Sequence, residues 1–337
     1  MKITAKKKIV ALLVIVVIPS ITIGVFLLPP KYEPNSFPDG KKFAFTICDD
    51  TDGSTVKNVK PVYDYLYELG LLTTKTVWVL PTNEPEILAS QGRTLSDSVY
   101  TEFILNLQEK GFEIASHGSR GGSSQRLEIL ESFEKFKNII GHYPKIHINH
   151  FMNIDDLYWG ADKLDLLPLK ILYNLFQEDK KFYGHIPGSE YFWGDIAQKH
   201  ISYVVNFSFH EINITKVNPF IPYHNPEKPY VNFWFHTSYG SDVDEFNRLL
   251  CTENLDRLEK EGGVCIVYTH FASGFCSDGV LNETTKERLK DLASRDGWFV
   301  PASEILDYLK QNHQGGHELS LRQKVYIELR WVFERIL

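Results

Sequence analysis

The segment Phe43-Ala44-Phe45-Thr46-Ile47-Cys48-Asp49-Asp50-Thr51-Asp52-Gly53 runs from an apolar, β-prone stretch straight into paired carboxylates and a turn. Packing alone does not end a buried strand this way, because an uncompensated buried carboxylate is costly. In α/β proteins, acids at the C-terminal end of a parallel strand are where the chemistry sits. Asp49 and Asp50 are therefore the first candidates: one carboxylate to hold a metal, its neighbour to act as a base beside it.

From Lys41 onward the pattern repeats. Short β-rich runs at Phe43–Cys48, Lys75–Leu80, Phe112–Ser116, Lys145–Asn149, Ile201–Phe207, Tyr230–Phe235, Val264–Thr269 and Trp298–Val300 alternate with amphipathic stretches. Val59, Val62, Leu66 and Leu69 recur at helical spacing and stop at Gly70. A second stretch with Phe103, Leu105 and Leu107 stops at Gly111, and a third with Leu127, Leu130, Phe133, Phe136 and Ile140 stops at Gly141. Alternating β and α units imply a parallel sheet, and seven or eight of them in ~300 residues predict an α/β fold, a deformed (β/α)7-8 parallel barrel. Residues 155–198 and 209–229 are too long for plain connections and are expected over the barrel mouth. The last stretch, 318–337, reads as an amphipathic helix packed on the barrel.

A chain of 337 residues, 43% hydrophobic and 23% charged, is composed for a sizeable globular core. The net charge of −7, with no basic stripe beyond the extreme N-terminus, argues against a nucleic-acid partner. At that terminus Lys6, Lys7 and Lys8 precede an uncharged, mostly apolar run, 9–28, and then Pro29-Pro30. At roughly 1.5 Å per residue this run makes about 30 Å of helix, enough to cross a bilayer. The expected organisation is a cytoplasmic N-terminus (1–8), a transmembrane signal anchor (9–28), a stalk (29–40), the barrel (41–312) and the C-terminal helix (318–337). The lysines favour a single-pass protein of the cell membrane with its barrel outside the cytoplasm. A cleaved signal peptide is the rival, although its apolar region is ordinarily shorter and no small-x-small site follows. Cys48, Cys251, Cys265 and Cys276 match no zinc-finger spacing; export permits disulfides in any of three pairings, but Cys48 and Cys265 sit within strands and read as plain buried residues.

Three strand ends share a character. Besides Cys48-Asp49-Asp50, the run Phe112–Ser116 leads into His117-Gly118-Ser119, and Val264–Thr269 leads into His270. A parallel barrel brings its strand C-termini to one face, so Asp49, Asp50, His117 and His270 are expected to converge. Carboxylate and imidazole are the ligands of a hydrolytic Zn²⁺ or related divalent ion that keeps an open position for water. The run Lys145–Asn149 adds His147 and His150. If Ile146 and Ile148 face the outer helices, His147 faces the interior and His150 lies at the rim.

On these motifs the chain resembles the polysaccharide deacetylases (NodB homology, carbohydrate esterase family 4). Ile47-Cys48-Asp49-Asp50 is similar to that family's Thr-Phe-Asp-Asp motif, Gly111–His117 to the strand entering its His-Ser/Thr-x-x-His motif, and Tyr268-Thr269-His270 to its late Leu-His motif. The similarity spans roughly residues 41–309 in motif order. It implies Asp49 as catalytic base, His270 as general acid, and Asp50 and His117 as metal ligands. Two departures stand out: Gly121 occupies the place of the second histidine, and His147-Ile148-Asn149-His150 stands where an arginine motif would be. His150, or alternatively His147, is expected to replace the lost ligand. Asn153, Tyr158, Trp159, Trp193 and Asp195, on the long segments, are the candidate substrate contacts.

The resemblance thus implies a metal-dependent hydrolase that removes N-acetyl groups from a cell-envelope carbohydrate polymer. Two other readings stay open: a non-catalytic carbohydrate-binding or assembly protein, and a glycoside hydrolase on the same barrel. The latter requires a second acid, for which Glu190, Asp195 and Glu211 are the candidates.

Overall fold

Each of the eight apolar runs carries a strand in the computed structural model, which describes residues 28–151, 153–176, 180–312 and 317–336. Seven of them follow one another around a closed sheet: β1 (Phe43–Asp49), β2 (Thr74–Val77), β3 (Glu113–Ser116), β4 (Ile146–His147), β5 (Tyr203–Phe209), β6 (Phe233–Tyr239) and β7 (Val264–Thr269). Every pairing is parallel, and β7 returns to β1 through the register Ala44↔Val264 to Asp49↔Thr269. The eighth run, Gly297–Phe299, pairs with Phe43–Phe45, whereas β2 meets only Cys48 and Asp49. It fills the wedge where β1 and β2 splay apart at the base, so the architecture is a (β/α)7 barrel.

Alternation along β1 decides which side chains see the interior. Phe43, Phe45 and Ile47 share an apolar cluster with Val59, Val62 and Leu66 of the helix Val56–Glu68, so the odd positions face outward. The even positions, Ala44, Thr46, Cys48 and Asp50, face inward. Asp49 follows the outward set. The helices stop where the glycines predict. Gly141, for example, closes the helix Arg126–Ile140 at φ 92°, a left-handed conformation that a side chain resists.

The two long connections differ. Trp159, Gly160 and Lys163, with Tyr173 from the helix Leu167–Phe176, do line the cavity at the mouth. Residues 209–229 do not. No residue of that segment lines the cavity, and Asn213 Oδ1 accepts from the Val264 amide at 3.3 Å, at the base where β7 begins. A parallel strand cannot start until the chain has travelled back to the base, and this segment makes that return.

The C-terminal helix Leu321–Ile336 packs as its apolar face predicts. Ile327, Trp331 and Val332 are buried, and Trp331 stacks on Tyr173 with ring centroids 5.6 Å apart. The buried Glu328 accepts from the Asp165 and Leu166 amides at 2.7 and 3.0 Å, satisfying donors at the start of the preceding helix. Cys48 and Cys265 are buried as expected, and all the cysteines are free thiols. The expected membrane span, 9–28, lies outside the described residues apart from Leu28. Among the described residues no helix is long and apolar enough to cross a membrane.

Candidate metal centre

The C-terminal ends of β1, β3, β4 and β7 deliver Asp50, Asp52, His117, His150 and His270 to one cavity of about 820 Å³. Within it, Asp52, His117 and His150 offer ligand atoms that all lie within 4.8 Å of one another. His117 Nε2 stands 3.0 Å from Asp52 Oδ1, and His150 Nε2 stands 3.6 Å from Asp52 Oδ2. Ligands about 2.0–2.2 Å from a tetrahedral ion sit roughly 3.3–3.6 Å from each other, so the spacing suits a small divalent cation.

The hydrogen-bond network makes the same point. The Asn153 amide is oriented by its partners: its Oδ1 accepts from the Gly122 amide at 3.1 Å, and its Nδ2 donates to the Arg120 carbonyl at 3.1 Å. Oδ1 also meets His150 Nδ1 at 3.1 Å, so that nitrogen is the donor. His150 Nε2 is then left facing two acceptors, Asp52 Oδ2 and the Ala89 carbonyl oxygen at 3.3 Å. Such a nitrogen needs either an extra proton or a cation in front of it. An imidazole whose far nitrogen is held by a side-chain oxygen is the usual arrangement of a metal-ligating histidine. The other histidine leaves an orphan: His117 Nδ1 is buried without a hydrogen-bond partner, 3.7 Å from Asp50 Oδ1. Trp78 backs both rings, donating from Nε1 to the His117 carbonyl at 2.9 Å and meeting the His150 ring edge-on at 5.4 Å.

Electrostatics divides the acids. Burial alone would raise the Asp52 carboxyl, but His117 and His150 outweigh it and hold Asp52 below the usual carboxylate range. Asp50 moves the other way. Burial, then the negative neighbours Asp52 and Asp49, push it well above that range. Burial lowers His117 against the pull of Asp52. In His150 burial acts downward too, but Asp52, Asn153 and the Ala89 carbonyl prevail and raise it.

The structure therefore differs from the expected roles of the Asp pair. Asp49, expected as the base, does not line the cavity. It points outward, where Oδ2 accepts from Tyr63 Oη at 2.8 Å and pairs with Lys75 Nζ at 2.8 Å, while Oδ1 accepts from the Phe271 amide at 2.7 Å. Asp50, expected as a ligand, faces inward next to the cluster, and Thr76 Oγ1 lies 3.5 Å from its Oδ1. The clustered carboxylate is Asp52, which the motif comparison passes over.

The fourth strand is also turned. Ile148 lines the cavity, and the alternative ligand His147 faces outward against Trp193 at 5.0 Å, its nitrogens meeting Ser116 Oγ at 3.1 Å and Asn149 Oδ1 at 3.0 Å. Burial lowers the His147 pKa to about 3. His150 is the residue brought to the cluster. Position 121 has no room for the second family histidine, since a Cβ there would lie 2.3 Å from the Ser90 carbonyl oxygen. His270 lies at the cavity wall, with Nδ1 at 2.7 Å from the Ser241 carbonyl oxygen and Nε2 at 3.2 Å from Tyr268 Oη.

Of the candidate substrate contacts only Trp159 lines the cavity. Asn153 is the buried support of His150 described above. Tyr158 is buried against His185, ring centroids 4.1 Å apart. Trp193 is core, its Nε1 donating to the Asp155 carbonyl at 2.6 Å. Asp195 lies on the surface in a two-pronged pair with Arg126 at 2.7 and 2.8 Å. Glu190 and Glu211 are likewise outside the cavity, held by Gln125 at 2.7 Å and Arg257 at 2.6 Å. The second acid needed by a glycoside hydrolase thus does not come from these three.

No protein-family model matches the sequence, and no curated protein matches it. Solved structures do. A chain from Mycobacterium smegmatis described as a polysaccharide deacetylase is 15% identical with a TM-score of 0.52, the alignment covering 87% of this chain and 99% of that one. A chain from Pseudomonas aeruginosa PAO1 with the same description is 12% identical, covers 82% and 94%, and has a TM-score of 0.46. Puue allantoinase is 13% identical, covers 84% and 95%, and has a TM-score of 0.45. At these identities the first match speaks for the fold alone. The resemblance drawn from the motifs holds at that level: this chain carries the barrel of the polysaccharide deacetylases.

Proposed function

We propose that this protein is a metal-dependent amidohydrolase that removes N-acetyl or similar acyl groups from a carbohydrate polymer of the cell envelope. One observation carries the reading. At the barrel mouth, two imidazole nitrogens converge on the Asp52 carboxylate beside a second, inward carboxylate, Asp50, whose proton affinity is raised. Asp52, His117 and His150 would hold a divalent ion, and a donor set of two histidines and one carboxylate suits Zn²⁺. When bound, the ion supplies Lewis acidity toward the acyl carbonyl and lowers the pKa of water.

The chain's own groups do the rest. Asp50 Oδ1 takes a proton from the water adding to the carbonyl carbon, and burial with the negative neighbours Asp52 and Asp49 strengthens that carboxylate's hold on the proton. His270 has its Nδ1 proton on the Ser241 carbonyl, which leaves Nε2 to carry a proton to the leaving nitrogen as the C–N bond breaks. Tyr268 Oη, 3.2 Å from that nitrogen, steadies the ring. The products are the free carboxylic acid and the amino sugar.

Acetate release from N-acetylglucosamine oligomers by the Zn²⁺-loaded protein tests this reading. Release is expected to stop on chelation and to return with the metal. In Asp52→Ala, metal affinity is expected to fall by more than about 100-fold, the upper effect of losing an indirect supporting group. Metal-independent release, or a stoichiometric ion retained in Asp52→Ala, would refute it. The proposed organisation keeps 9–28 as the anchor and 41–312 as an extracytoplasmic barrel. Protease added to sealed cells should then digest the barrel, and full protection would reverse the orientation.

A further inference from the structure

The cavity holds a second chemistry besides its carboxylates and imidazoles. Lys163, at the end of the short turn Gly160–Lys163, lines it while only 7% exposed. Its Nζ rests 3.3 Å from the Trp159 ring centroid and 6.0 Å from that of Trp331. Among the described residues no carboxylate or carbonyl lies within hydrogen-bond or ion-pair distance of it. Arg335, near the end of the C-terminal helix, reaches the same cavity, its guanidinium 5.1 Å from the Tyr239 ring and 5.9 Å from Trp331. It too has no carboxylate partner among the described residues.

Neighbouring cations are paired. Lys228, also buried, meets Asp165 at 2.6 Å, and Arg330 meets Glu334 at 2.8 Å. Lys163 and Arg335 are exceptions, and they repel each other: burial first, and Arg335 next, push the Lys163 amine well below its usual range against the more distant pull of Asp156. Two basic side chains without an ion-pair partner among the described residues, held over Trp159, Trp331 and Tyr239, form a cradle that an anion completes. Both come from segments added to the barrel, where specificity is ordinarily carried.

We propose that Lys163 and Arg335 form an anion subsite, so that the substrate is an N-acylated glycan bearing a carboxylate or phosphate close to the acylated sugar. This rests on the carbohydrate reading above, and the test separates the two by scoring binding apart from turnover. Equilibrium binding of the full-length protein is measured for two matched pairs. One is a hyaluronan tetrasaccharide against tetra-N-acetylchitotetraose; the other is N-acetylglucosamine 6-phosphate against N-acetylglucosamine. In at least one pair the acidic member is expected to bind about tenfold more tightly, and the pair that shows it tells carboxylate from phosphate. Arg335→Leu, at an exposed position, and Lys163→Met, which keeps the buried stem, should each erase most of that preference. Arg335→Lys should retain most of it. Equal binding within both pairs, or a preference that survives both neutral substitutions, overturns the proposal. Anion preference without hydrolysis of any probe would sustain the subsite and count against the hydrolase.

Discussion

Asp50→Asn is expected to leave the barrel folded and the metal bound while slowing deacylation about 10²–10⁴-fold, the range that a positioned acid–base group contributes. Asparagine has the shape of the residue it replaces, so its Oδ1 can keep the contact with Thr76. The Asp50 side chain is not one of the clustered groups Asp52, His117 and His150, so the cation site is retained. What is lost is a proton acceptor in an unusual place. Asp50 is fully buried, inward-facing, and raised well above the ordinary carboxylate range by burial and by Asp52 and Asp49. A cation at the neighbouring cluster offsets part of that rise and favours the ionised form that accepts a proton. Turnover and metal content measured on the same preparation decide the matter. Wild-type turnover, or a loss of turnover that tracks a loss of metal, would remove Asp50 from the base role.

Much of this is legible in the sequence, for physical reasons that can be named. The seven barrel strands read clearly because a strand buried on both faces must be a short apolar run, and each run is followed by a helical stripe closed by a turn. The inward residues of β1 are legible as well. Bulky Phe43, Phe45 and Ile47 alternate with small or polar Ala44, Thr46 and Cys48, and a narrow barrel has room only for the second set. Continuing that alternation sends Asp49 outward and Asp50 inward, and leaves Asp52, just before Gly53, to join Asp50 at the mouth. Taking the adjacent acids as a matched pair hides this.

Around β4 the sequence is ambiguous. Ile146-His147-Ile148-Asn149-His150 has histidine on both faces, and the outward His147 is satisfied by Ser116 from β3, a partner that only the register Ser116↔His147 supplies. The aromatic candidates fail for a similar reason. Tyr158 and Trp193 read as cleft residues from composition, but their polar atoms are satisfied by backbone groups inside the fold. Lys163 and Arg335 have no periodic signal at all. They meet in the cavity because the C-terminal helix docks beside the segment 160–176, a placement set by Trp331 against Tyr173 rather than by any local pattern.

The residue next to the base should behave in the opposite way. Asp49→Asn is expected to cost about 3–5 kcal/mol of stability, the usual result of removing one partner of a buried ion pair. For a chain of this size that lowers the melting temperature by about 4–8 °C. The cost lies mainly in what remains. Lys75 is fully buried, and without Asp49 its ammonium keeps only Ser54 Oγ at 3.0 Å and the Asp50 carbonyl oxygen at 3.5 Å. Burial already works against the Lys75 charge, and Asp49 is the largest influence that reverses it. The single amide oxygen of an asparagine can keep the Phe271 amide, but its Nδ2 then stands where Oδ2 was, facing the Tyr63 hydroxyl and the Lys75 ammonium, so an acceptor is lost together with the charge. Removing the stranded cation as well should therefore recover stability: Asp49→Asn with Lys75→Met is expected to melt nearer to wild type than Asp49→Asn alone, because a neutral, well-packed replacement of a buried pair is often tolerated. Below its melting point Asp49→Asn should still turn over in the presence of metal, because the carboxylate sits on the helix side of β1 and not in the cavity. Thermal melts of the single and double variants, with turnover measured at low temperature, separate the two jobs. A fully stable Asp49→Asn that had lost turnover would return the base role to Asp49 and take it from Asp50.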